Sequence, residues 1–74
     1  MSKLRTYISV YRKEKNMQQD ELAELVGVRR ETISRLEKGL YNPSLKLAYD
    51  IAKVFGVTIE KLFEFYEEDN LESK

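Results

Sequence analysis

Between Gln18 and Gly39, in the stretch QQDELAELVGVRRETISRLEKG, two short apolar stripes of helical period sit on either side of a single glycine. Leu22, Ala23 and Val26 share one helical face, and Ile33 and Leu36 share another, so two helices must pack onto one core across whatever joins them. Gly27 stands at the joint, where a sharp turn favours a residue that accepts positive φ. Val28 follows as an apolar plug for the corner. The second helix keeps Arg29, Arg30, Glu31, Ser34 and Arg35 off its apolar face, so its outer side and amino end carry hydrogen-bonding groups and no large hydrophobe. A helix end of that chemistry suits base edges and phosphates in a DNA major groove.

The other segments read as scaffold for this pair. Leu4, Tyr7, Ile8 and Tyr11 have helical spacing and predict a first helix over 3–15, with Asn16 as a left-handed exit and Met17 packing inward. Gly39 and Pro43 mark a stop and a start, and Ser44 is a natural N-cap. The fourth helix carries the widest stripe, Leu47, Ala48, Ile51, Ala52 and Phe55, closed by Gly56. Thr58 is expected to cap a short fifth helix that turns Ile59, Leu62 and Phe63 to the core, with Glu60 complementing its dipole. The run Phe63-Glu64-Phe65-Tyr66 alternates like a strand and equally continues a helix. The tyrosines fall on helical rather than alternating positions, which favours core roles over an RNA stacking platform.

At 74 residues the chain is one domain with a thin core, which dimerisation would reinforce. It contains neither cysteine nor histidine, so disulfides, thiolate metal sites and imidazole catalysis are excluded. With no phosphate loop and no carboxylate pair in a plausible pocket, an enzyme is the weakest reading, and neither a metal nor a cofactor is expected. No apolar run is long enough to span a bilayer and no signal peptide is visible, so the expectation is a cytoplasmic protein, nucleoid-associated when bound to DNA. The net charge is zero but polarised: residues 1–40 hold nine Lys/Arg against six Asp/Glu, and residues 41–74 hold four against seven. The basic half contains the two-helix segment.

The order Gln19, Leu22, Ala23, Gly27, Val28, Ile33, Ser34, Leu36, Glu37, Gly39 and Asn42-Pro43-Ser44 resembles the Cro/CI, or XRE-like, phage-repressor family of helix-turn-helix regulators, over about Leu4 to Phe63. The resemblance implies an all-α, five-helix lambda-repressor-like bundle, with room for a short terminal strand pair, whose second and third helices bind DNA. It places a DNA-binding domain at 1–66, with the helix-turn-helix unit at about 18–37, and leaves 67–74 as an acidic flexible tail. Two positions depart from the family pattern. Arg29 and Gln18 stand where a hydroxyl residue is common, and an arginine cannot accept a capping hydrogen bond, which gives up roughly 1 kcal/mol.

By the same resemblance, Arg30, Glu31 and Arg35 match positions from which such repressors reach base edges, and Ser34 lies among them. Arginine can bond guanine O6 and N7, and glutamate can accept from cytosine N4. The competing reading is a solvated face with a weak Glu31–Arg35 pair. Gln19 matches the residue that touches the DNA backbone and braces the recognition helix. Gln18, Arg29, Lys38, Tyr41 and Asn42 are further candidates for phosphate contact, against plain surface or, for Tyr41, a loop plug. Arg12 and Glu37 match a structural ion pair between the first and third helices. Phe63, Phe65 and Tyr66 supply more aromatic surface than five short helices need, which points to a dimer interface; the bland alternative makes Phe63 core and leaves the other two incidental.

The function expected is therefore a sequence-specific regulator of double-stranded DNA, a repressor acting as a homodimer on an inverted repeat, with no room for an effector domain. The alternative is an antitoxin-like or adaptor module that keeps the fold and grips a protein partner such as a toxin.

Overall fold

The computed structural model describes residues 2–67, which form β1 (Ser2–Thr6), α1 (Ile8–Glu14), α2 (Gln19–Val26), α3 (Arg30–Glu37), α4 (Leu45–Phe55), α5 (Ile59–Leu62) and β2 (Phe63–Glu67). It is the expected five-helix bundle, with a two-stranded antiparallel sheet added. β1 and β2 pair from Ser2 opposite Glu67 to Thr6 opposite Phe63.

The sheet corrects the first helix. Residues 2–6 are strand, and α1 begins only at Ile8. Leu4 and Thr6 alternate with Lys3 and Arg5, a period of two that suits a strand once β2 lies alongside to take its backbone groups. The same pairing resolves Phe63–Tyr66 as strand. β2 runs through Glu67, so that residue belongs to the sheet rather than to the expected tail; 68–74 lie outside the described residues. The strand and helix meet at Tyr7, whose backbone N–H donates to Leu62 O at 2.9 Å and so pins the α1 start to the end of α5.

The core is assembled from the predicted stripes. Ile8, Leu22, Ile33, Leu36, Ile51 and Leu62 are fully buried, and α4 contributes Leu47, Ala48, Ala52 and Phe55 beside Ile51. Met17, Val26 and Val28 pack partly buried against it, and Tyr11 stacks on Phe55 with ring centroids 5.8 Å apart. The tyrosines divide: Tyr41, Tyr49 and Tyr66 are exposed, which corrects the core role for all three and leaves Tyr41 and Tyr66 the surface positions that their other readings require. Of the two hydroxyl caps expected, one is made. Ser44 Oγ accepts from Leu47 N at 3.0 Å, whereas Thr58 holds the cap position of α5 without a side-chain hydrogen bond.

Gly39 is where the helix-turn-helix unit is fitted to the sheet. Its φ is +72°, and a Cβ there would stand 2.5 Å from the Leu4 carbonyl oxygen. Gly27 has a φ of +75° with open space around the same position. Gly27→Ala should therefore cost only the left-handed strain, about 1–2 kcal/mol, while Gly39→Ala adds a backbone clash and should cost more. Urea unfolding of the two variants measures the difference; equal losses would show that the β1 contact is not tight. No helix among the described residues is long and apolar enough to cross a membrane.

Candidate nucleic-acid interface

α2 and α3 are joined by a turn that the sequence dictates closely. Gly27 takes the left-handed conformation, its N–H donates to Glu24 O, and Val28 N–H donates back to Ala23 O at 3.0 Å, which uses up carbonyls left over at the end of α2. Val28 is drawn onto the core. At the start of α2, Gln18 N–H donates to Glu21 Oε1 at 2.6 Å, half of a capping box. Arg29 occupies the N-cap position of α3 in extended backbone and makes no side-chain cap. Arg29→Ser should thus raise stability by about 1 kcal/mol. It should lower DNA affinity for all sequences alike, because it removes a charge at the helix end; thermal unfolding and salt-dependent binding measure the two effects.

α3 buries Ile33 and Leu36 and leaves Arg30, Glu31 and Arg35 exposed, with Ser34 half-buried between the two faces. Arg29 and Lys38 are exposed at its two ends, and among the described residues neither they nor Arg30, Glu31 or Arg35 form an ion pair. The Glu31–Arg35 pair of the competing reading is therefore absent, and the arginines present uncompensated charge. Gln18, Gln19 and Arg30 line one polar groove together with Arg12 and Asp20, so the amino ends of α2 and α3 converge. Tyr41 and Asn42 are exposed in the loop after α3. Asn42 lines a different, apolar groove with Leu45 and Phe65, away from the convergence of the two helix starts.

Beneath the polar groove lies a buried network. Arg12 is 8% exposed; its Nε donates to Glu37 Oε2 at 2.7 Å, its Nη2 to Glu37 Oε1 at 3.1 Å, and its Nη1 to Met17 O at 2.8 Å. The fork geometry satisfies both charges in a site where an unpaired one would be costly. Gln19 Nε2 donates to Glu37 Oε1 at 2.9 Å, so a single carboxylate ties α1 and the first residue of α2 to the last turn of α3. Gln19 keeps one amide hydrogen and its carbonyl oxygen for other partners. Sequence reasoning did not find Thr6, whose Oγ1 donates to Glu37 O at 3.3 Å and fastens the sheet to the end of α3. No local pattern marks it, because the contact exists only once β1 pairs with β2.

A short helix held from behind by a satisfied ion pair, its outer face carrying arginines that form no ion pair among the described residues, is the arrangement of a helix-turn-helix DNA-binding domain. The helix-turn-helix family model matches residues 8–62, and the chain belongs to that family, in its XRE-like branch. The chain is 59% identical over 71 residues to an uncharacterised HTH-type transcriptional regulator of Archaeoglobus fulgidus, covering 96% of this chain and 100% of that one. It is 35% identical over 63 residues to the cryptic phage CTXphi transcriptional repressor RstR of Vibrio cholerae, covering 85% of this chain and 56% of RstR. Among solved structures, the biofilm master regulator SinR in complex with DNA superposes with a TM-score of 0.65 and 37% identity, over 72% of this chain and 86% of that one. The protein is thus a transcription regulator with a helix-turn-helix DNA-binding fold.

Proposed function

We propose that this regulator is a repressor that binds an inverted-repeat operator in double-stranded DNA as a homodimer. The observation that carries the reading is the outer face of α3: exposed arginines, without an ion pair among the described residues, on a helix locked from behind by Arg12 and Glu37. In this reading Arg30 and Arg35 donate to guanine edges, Glu31 accepts from cytosine, and Ser34 lies at the margin of the groove. Gln18 and Gln19 hold one stretch of phosphates from the α2 end, with Arg29 beside them. Lys38, Tyr41 and Asn42 hold another from the far end of α3. The DNA-binding domain spans 1–66, to which β2 adds Glu67, and the protein works in the cytoplasm on the nucleoid. The name of RstR, a repressor, and the DNA complex of SinR support the assignment without deciding the operator.

The test is binding stoichiometry with hydroxyl-radical footprinting on a tightly bound duplex. Two chains per duplex should protect two half-sites on one face, about 34 Å apart. One chain per duplex with a single protected patch overturns the dimer.

A further inference from the structure

The sheet register divides the aromatic cluster at the end of the fold. Leu4, Thr6, Phe63 and Phe65 project to one side, and Arg5, Glu64 and Tyr66 to the other. The second side is already occupied from within the chain. The Arg5 guanidinium lies 4.4 Å from the centre of the Tyr66 ring, and Tyr7 Oη donates to Glu64 Oε1 at 2.7 Å. On the first side Phe65 is 62% exposed and lines a groove with Leu45, 78% exposed, and Tyr49, 53% exposed. These three come from α4 and β2, so the apolar face exists only because the sheet closes beside the helix. Large neighbouring hydrophobes left together in water mark a contact surface.

Two features identify what covers it. Lys53 and Glu60 both line this groove, and neither forms an ion pair among the described residues; the Lys53 ammonium rests 5.6 Å from the centre of the Tyr49 ring. About a two-fold axis a residue away from the axis meets a different residue of the other copy and the contact repeats in reverse, so Lys53 of each chain can meet Glu60 of the other, and the face is complementary to itself. The adjoining groove is lined by Asn42, Pro43, Leu45 and Phe65, which brings the contact up to the loop leaving α3 and couples it to the placement of two recognition helices.

We infer that a second copy of this chain docks on this face, with Leu45, Tyr49 and Phe65 at its centre, Lys53 and Glu60 pairing across its rim, and Tyr66 outside it. The inference rests on the homodimer proposed above and names its surface. Sedimentation equilibrium of the full chain at micromolar concentration tests it. The parent chain should be dimeric, and Tyr66→Ala should leave it so. Leu45→Glu should weaken association by about thirtyfold or more with the helical circular dichroism unchanged, since Leu45 is 78% exposed in the single chain. Lys53→Glu and Glu60→Lys should each weaken it by roughly tenfold, and the double reversal should restore it. A monomeric parent chain removes the homodimer itself. A dimeric parent that tolerates Leu45→Glu, or charge reversals without mutual rescue, overturns this surface and leaves the homodimer standing.

Discussion

Glu37→Ala is expected to destabilise the domain by about 3–5 kcal/mol, because it leaves the Arg12 guanidinium buried without its counter-charge. That is a large share of the roughly 5–15 kcal/mol that holds a typical domain folded, so the variant should be marginal at room temperature. Arg12→Met should be damaging for the mirror-image reason, a Glu37 side chain only 10% exposed left with Gln19 alone donating to its carboxylate. The double variant Arg12→Met, Glu37→Leu should be more stable than either single one. It retains a smaller loss of about 1–2 kcal/mol, since Met17 O and Gln19 Nε2 each lose a partner. Urea unfolding around this cycle gives the coupling directly; additive losses would mean that the two side chains do not act as a pair.

Arg30→Ala is expected to weaken binding to the preferred operator by about 1–3 kcal/mol, roughly five- to a hundred-and-fifty-fold, while leaving stability close to the parent value. Arg30 is exposed and forms no ion pair among the described residues, so its removal leaves no buried group there unpaired. Its loss should flatten the preference at one base position in each half-site. Lys38→Ala offers the contrast: affinity should fall for every sequence by a similar factor, and the slope of log affinity against log salt should drop by about one. If Arg30→Ala behaved as Lys38→Ala is expected to, Arg30 would be a phosphate contact and the base reading would have to move to Arg35 or Glu31.

The two variants separate what the inner and outer faces of α3 do. The inner face is legible in the sequence because Ile33 and Leu36, with Leu22, Ala23 and the α4 stripe, repeat at helical spacing and all became core. Gly27 and Ser44 are legible for the same reason: each performs a task that few residues can, and the local pattern contains it. The sheet was only half legible. Leu4, Tyr7, Ile8 and Tyr11 satisfy a helical spacing, and nothing within the first residues says that Phe63–Glu67 will supply backbone partners to β1. Once that pairing is made, three further features follow that local reasoning could not reach. Thr6 grips the end of α3, Gly39 packs on Leu4, and Tyr66 is turned to the opposite side from Phe63 and Phe65.

The unusual start of α3 also gains meaning from its surroundings. With Arg29 at the N-cap, the helix forgoes a side-chain cap, yet it is held at the other end by Glu37 and by the contact with β1. Anchoring one end firmly leaves the other free to be chosen for charge rather than for helix stability. The arrangement Arg29-Arg30-Glu31 therefore presents two cations and one acceptor at the point where base contacts are proposed.

Selection of bound duplexes from a random library, carried through to a position-by-position preference, tests the central claim most directly. The account predicts enrichment of an inverted repeat with half-sites about one helical turn apart, and loss of preference at one position per half-site when the selection is repeated with Arg30→Ala. No enriched sequence, or an enriched motif that is unchanged by Arg30→Ala, Glu31→Ala and Arg35→Ala alike, would contradict it.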